Sequence, residues 1–97
     1  MRGLMGMALR AGQAVFGEEA CRKALRSGEC GALLLDGEIS EGSERKYREL
    51  CRRAGTPLCK LPAGLMEEAT GRPGMAMALK KGSFAQRAAE GLEEEAP

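Results

Sequence analysis

The side chains that most often perform catalysis are scarce in this sequence. Histidine and tryptophan are absent, and the aromatic residues are Phe16, Tyr47 and Phe84. The lack of histidine excludes histidine triads, histidine general bases and histidine metal sites. The adjacent carboxylates Glu18–Glu19 and Glu67–Glu68 fall in predicted helices, where neighbours point about 100° apart and do not form an acid–base pair. We therefore predict a binding protein, with no catalytic residues and no cofactor.

The cysteines are the remaining candidates for metal chemistry. Cys21, Cys30, Cys51 and Cys59 show none of the CxxC spacing by which zinc ribbons place two thiolates on one ion. We expect no metal, and we expect buried reduced thiols in a cytoplasmic protein. Glycines and Arg10 interrupt the apolar residues near Met1, and no apolar run reaches membrane-spanning length, so no membrane partner is expected.

Two GxxG strings, at 28–31 and 71–74, resemble the loop that clamps the RNA backbone in KH domains. A KH loop joins two helices, whereas both strings here stand between a predicted helix and a predicted strand. The strings are better interpreted as helix ends. Three scattered aromatic residues also cannot supply the base-stacking platform of an RRM or an OB-fold.

The charge is divided unevenly along the chain. The 97 residues contain 15 basic and 14 acidic residues, for a net charge of +1. Three of the acids, Glu93–Glu95, belong to the terminal run EEEAP, and without them the rest of the chain carries 15 basic and 11 acidic residues, a net charge of +4. We predict one domain over 1–92 and an acidic, solvated tail over 93–97.

Hydrophobic spacing and glycine punctuation predict helices alternating with short strands, which indicates a sheet between helical layers. Ser43 and Ser83 are the expected caps of the third and fifth helices. In the predicted strand 75–79 the methionines and Leu79 should face one side and the alanines the other, so that a helix can approach the alanine face closely. The predicted helices are 4–12, 18–28, 43–54, 62–71 and one from Ser83, and the predicted strands are 14–16, 32–35, 58–61 and 75–79.

The segment VFGEEACRKALRSG at 15–28, followed by the apolar strand 32–35, resembles the signature "strand, G-x-N-E-x-x-K-A, helix, G, strand" of the ribosomal protein L-seven-Ae and L-thirty-e superfamily. It is most similar to the bacterial YlxQ-like branch. The strings GMALRAG at 6–12, GTP at 55–57 and ATG at 69–71 agree with this resemblance, which spans roughly residues 2–90. The resemblance implies a three-layer α/β/α sandwich with a central mixed four-stranded sheet.

Members of this superfamily typically bind kink-turns and related RNA bends. The resemblance implies that the start of the second helix meets sheared G·A pairs, that the loop before the last strand packs against a flipped-out nucleotide, and that the loop from Asp36 to Ser40 flanks both. The RNA-binding residues that it implies are Gly17, Glu18, Glu19, Ala20, Lys23, Arg26, Asp36, Glu38, Arg72, Pro73, Gly74 and Met75. The sequence departs from the signature at two positions, with Glu19 in place of Asn and Ala20 in place of Glu.

The function implied is non-catalytic binding of a kinked or bent structured RNA by a ribosomal or ribosome-associated protein, with ribosomal RNA and ribosome-associated proteins as partners. Two alternatives stay open. One is a protein-interaction module on the same fold, whose RNA site is eroded by Glu19 and Ala20. The other is an RNA-recognition subunit that serves a separate RNA-modifying enzyme.

Overall fold

The structure, a computed structural model, describes residues 2–95 and their side chains up to residue 91. Helices and strands alternate along this part of the chain. In order they are α1 (Arg2–Arg10), β1 (Ala14–Phe16), α2 (Glu18–Ser27), β2 (Cys30–Leu35), α3 (Glu41–Ala54), β3 (Leu58–Lys60), α4 (Leu65–Thr70), β4 (Ala76–Lys80) and α5 (Ser83–Glu95). None of these helices is long and apolar enough to cross a membrane.

The four strands form one mixed sheet in the order β1-β4-β2-β3. Strand β4 lies between β1 and β2 and is antiparallel to both, while β3 extends the sheet parallel to β2. Strand β2 is buried almost throughout, which agrees with its continuous apolar sequence.

The two faces of the sheet pack against different helices. Helices α1, α4 and α5 cover one face around a core that includes Leu34, Met77 and Leu79. Helices α2 and α3 cover the other face around Leu33, Leu35 and the alanines of β4. The predicted alternation is therefore confirmed over 76–79, and the alanines lie beneath α2. Met75, predicted on the methionine face, precedes the strand and is exposed. This arrangement of helices and sheet is the predicted three-layer sandwich.

The starts of four helices differ from their predictions. Helix α1 begins at Arg2 rather than at Leu4. Ser40, not Ser43, caps α3, because its hydroxyl oxygen accepts the Ser43 N–H at 3.2 Å. Helix α4 begins at Leu65 rather than at Pro62, after Gly64 in a left-handed conformation. Ser83 is the first residue of α5 rather than its cap, since the Gln86 N–H already bonds to the Gly82 carbonyl.

Strand β2 begins two residues earlier than predicted, at Cys30. Gly28 ends α2 as predicted, with a φ of +78°, but Gly31 lies inside the strand at a register irregularity. A β-carbon on Gly31 would come within 2.7 Å of the Ala85 side chain, so glycine lets α5 pack closely here.

Helix α5 continues to Glu95, so the predicted domain end at residue 92 falls within a helix. The division between a domain and an acidic tail stays a prediction. Residues 96 and 97 of that tail lie outside the described residues.

Candidate nucleic-acid interface

Three segments that carry predicted site residues meet at one end of the sheet, where β1 and β2 end and β4 begins. The pairing of Phe16 with Met77 and of Leu35 with Ala76 brings the ends of β1 and β2 beside the start of β4. The start of α2 at 17–20 therefore lies next to the loops 36–40 and 71–75, and we call this end of the sheet the loop edge. Two backbone bonds fasten it, from the Gly17 N–H to the Ala76 carbonyl at 3.0 Å and from the Asp36 N–H to the Met75 carbonyl at 2.9 Å.

Helix α2 starts from Gly17 without a side-chain cap. Gly17 has φ +105° and ψ 158°, a backbone region that is essentially restricted to glycine. Its carbonyl accepts the Cys21 N–H, which leaves the N–H groups of Glu18, Glu19 and Ala20 with no partner inside the helix. Backbone N–H groups at a helix start attract anions.

The loop before β4 packs against the aromatic ring that precedes Gly17. A β-carbon on Gly74 would lie 2.5 Å from a ring carbon of Phe16, so only glycine fits at this position without a shift. The Arg72 guanidinium lies over the same ring, 5.9 Å from its centroid. Phe16 thus joins the start of α2 to the loop 71–75 before β4. The two segments are far apart in the sequence, so local sequence patterns do not predict this contact.

The tip of that loop is shaped by Thr70 and ends at an exposed apolar side chain. The Thr70 hydroxyl donates to the Met66 carbonyl at 2.8 Å and accepts the Arg72 N–H at 3.2 Å. Pro73 is exposed, and Met75 is one of the two large hydrophobic side chains that are exposed in the described part of the chain. Met75 is thus available to pack against a ligand.

A shallow concave patch of about 590 Å³ opens beside Gly17. It is lined by Phe16, Gly17, Glu18, Glu19, Ala20 and Lys23. We call it the Gly17 patch. The structure thus brings together on one surface the RNA-binding residues predicted at the start of the second helix, which are Gly17, Glu18, Glu19, Ala20 and Lys23.

Charge in the Gly17 patch is mixed. Glu18 forms an ion pair with Arg22 at 3.3 Å, and both side chains are about half exposed. Glu19 and Lys23 are exposed and form no ion pair within residues 2–91. One cation and one anion are therefore both available to a ligand.

Tyr47 fixes the start of α2 from the neighbouring helix. Its hydroxyl donates to the Glu18 carbonyl at 3.3 Å, and the residue is buried. Burial, followed by the neighbouring Cys21 and Glu18, raises the pKa of Tyr47 to about 12.

Asp36 differs from its prediction as an RNA-contacting residue. It is 1% exposed, and its carboxylate accepts backbone N–H groups from Glu38 at 2.9 Å, Gly64 at 3.1 Å and Met66 at 3.0 Å. Burial by itself would raise the pKa of Asp36, but these three donors outweigh it and hold the pKa below its ordinary value. Asp36 is a buried connector between two loops and presents no side chain to a ligand.

The remaining predicted residues, Glu38 and Arg26, lie away from the Gly17 patch. Glu38 is exposed in the loop that Asp36 holds. Arg26 is exposed in the last turn of α2, and at about 1.5 Å of helix rise per residue it stands more than 10 Å along the axis from the helix start. Arg26 lines a neighbouring concavity on α2 together with Glu18, Glu19 and Lys23, and it also lines a groove between α2 and α3.

Two residues of the site were not predicted as functional, Phe16 and Tyr47. Phe16 was predicted to lie in the strand 14–16 and Tyr47 in the helix 43–54, and both placements are confirmed. Their further contacts, to Gly74 and to Glu18, join segments far apart in the sequence. An aromatic residue immediately before the glycine that precedes α2 was the one local signal that pointed to Phe16.

The chain matches no protein-family model and no curated protein. Its structure is similar to that of a protein of unknown function from Bacillus halodurans C, with 24% identity, a TM-score of 0.86 and coverage of 97% of this chain and 96% of that one. It is also similar to the Giardia lamblia 15.5 kD RNA-binding protein, with 12% identity, a TM-score of 0.78 and coverage of 96% and 84%. These similarities confirm the predicted fold class.

Proposed function

We propose that this chain is a non-catalytic, cytoplasmic RNA-binding protein that recognises a kinked or bent structured RNA at its loop edge. The observation that carries the proposal is the contact of Phe16 with Gly74, which unites an uncapped helix start and a loop with an exposed tip in one surface. The similarity in fold to a protein described as RNA-binding supports it.

The surface offers the groups that a folded RNA requires. Uncapped N–H groups at the start of α2 can donate to phosphate or base oxygens, and Gly17 presents no side chain to obstruct that approach. Lys23 can neutralise a phosphate, and a carboxylate of Glu18 or Glu19 can accept guanine N–H groups. Met75 can pack against a base that is turned out of its stack.

The surface is suited to a preformed RNA shape and poorly suited to an extended single strand. Phe16 is the one aromatic side chain that lines the Gly17 patch. Gly74 and Arg72 already pack against its ring, which leaves less of the ring for a base to stack on. Single-strand binders place successive bases on several free aromatic rings. Backbone amides and one lysine, by contrast, can read the phosphate geometry of a bend.

The finer assignment follows from the sequence resemblance together with this geometry. We assign the chain to the L-seven-Ae and L-thirty-e superfamily and to its YlxQ-like branch, and we propose a kink-turn-like RNA of the ribosome as the target. Ribosome-associated proteins are the further partners of this proposal. The residues assigned to direct contact are Gly17, Glu18, Glu19, Ala20, Lys23, Arg72, Pro73, Gly74 and Met75.

A gel-shift titration tests the proposal. The RNA is a kink-turn, and the control RNA replaces its G·A pairs with Watson–Crick pairs. We expect tighter binding to the kink-turn, and we expect Lys23→Gln to weaken it and to reduce the slope of log affinity against log salt by about one. The matched variant is Lys80→Gln. It removes the same charge from the far end of β4, opposite the loop edge, and should leave the affinity for the kink-turn unchanged.

Weak binding of equal strength to both RNAs, with equal sensitivity to Lys23→Gln and Lys80→Gln, contradicts specific recognition. A protein partner that is retained on purification in the absence of RNA would then favour the interaction-module alternative. A methyltransferase or another RNA-modifying enzyme that co-purifies with the chain would favour the subunit alternative.

A further inference from the structure

A groove of about 830 Å³ runs between the exposed faces of α2 and α3, beside the Gly17 patch. Seven basic side chains and a single acid, Glu49, line it. We call it the basic groove. Arg22 and Arg26 contribute from α2, and Arg45, Lys46, Arg52 and Arg53 are among the residues that contribute from α3.

The cations of the groove are only partly neutralised within the protein. Arg52 and Arg53 share one carboxylate, that of Glu49, at 2.6 and 3.1 Å, and both arginines are more than 70% exposed. Arg26, Arg45 and Lys46 form no ion pair within residues 2–91. Cations therefore outnumber carboxylates along the groove, and its positive excess is complementary to a polyanion.

The shape and composition of the groove favour phosphates over bases. The residues that line it include no aromatic side chain, so it offers nothing on which a base can stack. Arginine is the side chain whose planar guanidinium best matches phosphate oxygens. Arg45 and Arg52, seven residues apart on α3, lie on one face over about 10 Å, so their heads form a row.

The basic groove is continuous with the Gly17 patch. A further concavity on α2 is lined by Glu18, Glu19, Arg22, Lys23 and Arg26. It shares three residues with the Gly17 patch and two with the basic groove. A ligand that is held at Gly17 and extends along α2 therefore passes into the basic groove.

We infer that the basic groove binds the phosphate backbone of a double-helical RNA stem that continues from the RNA held at the Gly17 patch. This inference rests on the proposed function and adds a second, sequence-independent contact to it. The loop edge selects the bend, and the groove contributes affinity in proportion to the length of the adjoining stem.

The test uses three RNAs: a kink-turn with a short stem, the same kink-turn with the stem extended, and an unkinked duplex. The variant is Arg45→Gln/Lys46→Gln, whose side chains form no ion pair among the described residues, so α3 should stay folded. The control is Lys81→Gln/Arg87→Gln, which removes the same charge from the opposite sheet edge and from α5. Circular dichroism melting confirms that all variants fold.

The full chain should bind the extended kink-turn about tenfold more tightly than the short one. Arg45→Gln/Lys46→Gln should abolish most of this gain, change the affinity for the short kink-turn less than twofold, and reduce the salt slope on the extended RNA by about two. The control variant should behave as the parent chain does.

The failures of the two proposals are distinguishable. Equal binding of the long and short kink-turns, with no effect of Arg45→Gln/Lys46→Gln, overturns the inference and leaves the proposed function standing. Duplex binding that depends on Arg45 and Lys46, without preference for the kink, supports the groove and overturns kink recognition. A last assay measures binding of the chain to phosphatidylserine vesicles, with duplex RNA as competitor. If the chain binds the vesicles, Arg45→Gln/Lys46→Gln abolishes this binding and duplex RNA does not displace the vesicles, then the groove binds a membrane surface and the inference is overturned.

Discussion

Helices α2 and α3 both start at the loop edge, yet their starts are built in opposite ways. Helix α3 follows a loop that the buried carboxylate of Asp36 holds in place, and the Ser40 hydroxyl caps it. Helix α2 follows Gly17, has no side-chain cap and carries exposed carboxylates. At α3 a side chain satisfies one of the backbone donors of the first turn, whereas at α2 no side chain does so.

Residues that the sequence resemblance grouped as one RNA-binding site have different roles in the structure. Asp36 stabilises the fold from inside, while Gly17, Glu19 and Lys23 stand at the surface. Substitutions at Asp36 and at the cap of α3 should therefore change stability, and substitutions of exposed charges at the start of α2 should change RNA affinity. Gly17 is the exception, because its backbone conformation is itself unusual.

Replacement of Asp36 should have the largest effect. Asp36→Ala removes the acceptor of three backbone N–H groups at a buried site, and we expect it to lower the free energy of unfolding by about 2–4 kcal/mol. Urea denaturation measures this loss. Glu38→Ala is the matched control, since it removes an exposed carboxylate from the same loop and should cost less than about 0.5 kcal/mol. Equal losses would refute the distinction between a buried connector and an exposed neighbour.

Acid should remove the contribution of Asp36 in a defined direction. Its pKa in the folded protein lies below the ordinary value of 3.8, so the carboxylate stabilises the fold fully above that value. The contribution is lost as the pH falls through the lower pKa of the folded state. We expect the stability difference between the parent chain and Asp36→Asn to shrink between pH 5 and the acid limit of urea measurements, and a difference independent of pH would contradict this role.

Replacement of Gly17 should come next. Space for a β-carbon is available, but φ +105° with ψ 158° is strained for any other residue, and we expect Gly17→Ala to cost about 1–3 kcal/mol of stability. Gly42→Ala makes the same chemical change within α3, also in open space, and should instead stabilise by up to about 1 kcal/mol. Thermal melting of both variants measures the two changes in stability, a decrease for Gly17→Ala and an increase for Gly42→Ala. A neutral Gly17→Ala would show that the start of α2 relaxes without loss.

The two serines near the start of α3 give a smaller and sharper contrast. Ser40→Ala removes the cap and should cost about 1 kcal/mol, whereas Ser43→Ala removes a hydroxyl that caps nothing and should change stability by less than about 0.5 kcal/mol. Chemical denaturation of both variants separates them. A larger loss at Ser43 would restore the prediction made from the sequence.

Much of this fold was readable from local sequence patterns. The alternation of methionine and alanine in β4 gave its two faces, and glycines marked the ends of α2, α3 and α4. Two serines three residues apart precede the same helical stripe, and only the observed hydrogen bond distinguishes which of them caps α3. Local pattern determines which elements form more reliably than where each of them starts.

The site was readable only in part, because its decisive contacts are long-range. An Asp-Gly pair after a strand is typical of an exposed turn, yet the carboxylate of Asp36 is buried by bonds to residues 28 and 30 positions away. The contact between Phe16 and Gly74 likewise joins two loops that are brought together only when β4 pairs with β1. Burial and loop contacts of this kind depend on the completed sheet.

The smallest expected effect concerns Glu19, which stands where the resembled signature has Asn. Its carboxylate is exposed, forms no ion pair among the described residues, and lies in the same patch as Lys23. Removing this negative charge beside the phosphates of a bound RNA should raise the affinity, so Glu19→Gln is expected to bind the kink-turn about two- to fivefold more tightly, a gain that shrinks as salt is added. Glu18→Gln removes the same charge but also breaks the ion pair with Arg22, so Glu19→Gln is the cleaner test of a single charge. If Glu19→Gln instead weakens binding to the kink-turn but not to its Watson–Crick control, then the carboxylate accepts a base N–H group directly. In that case the departure from the signature is a change of specificity, and the start of α2 contacts base edges as well as phosphates.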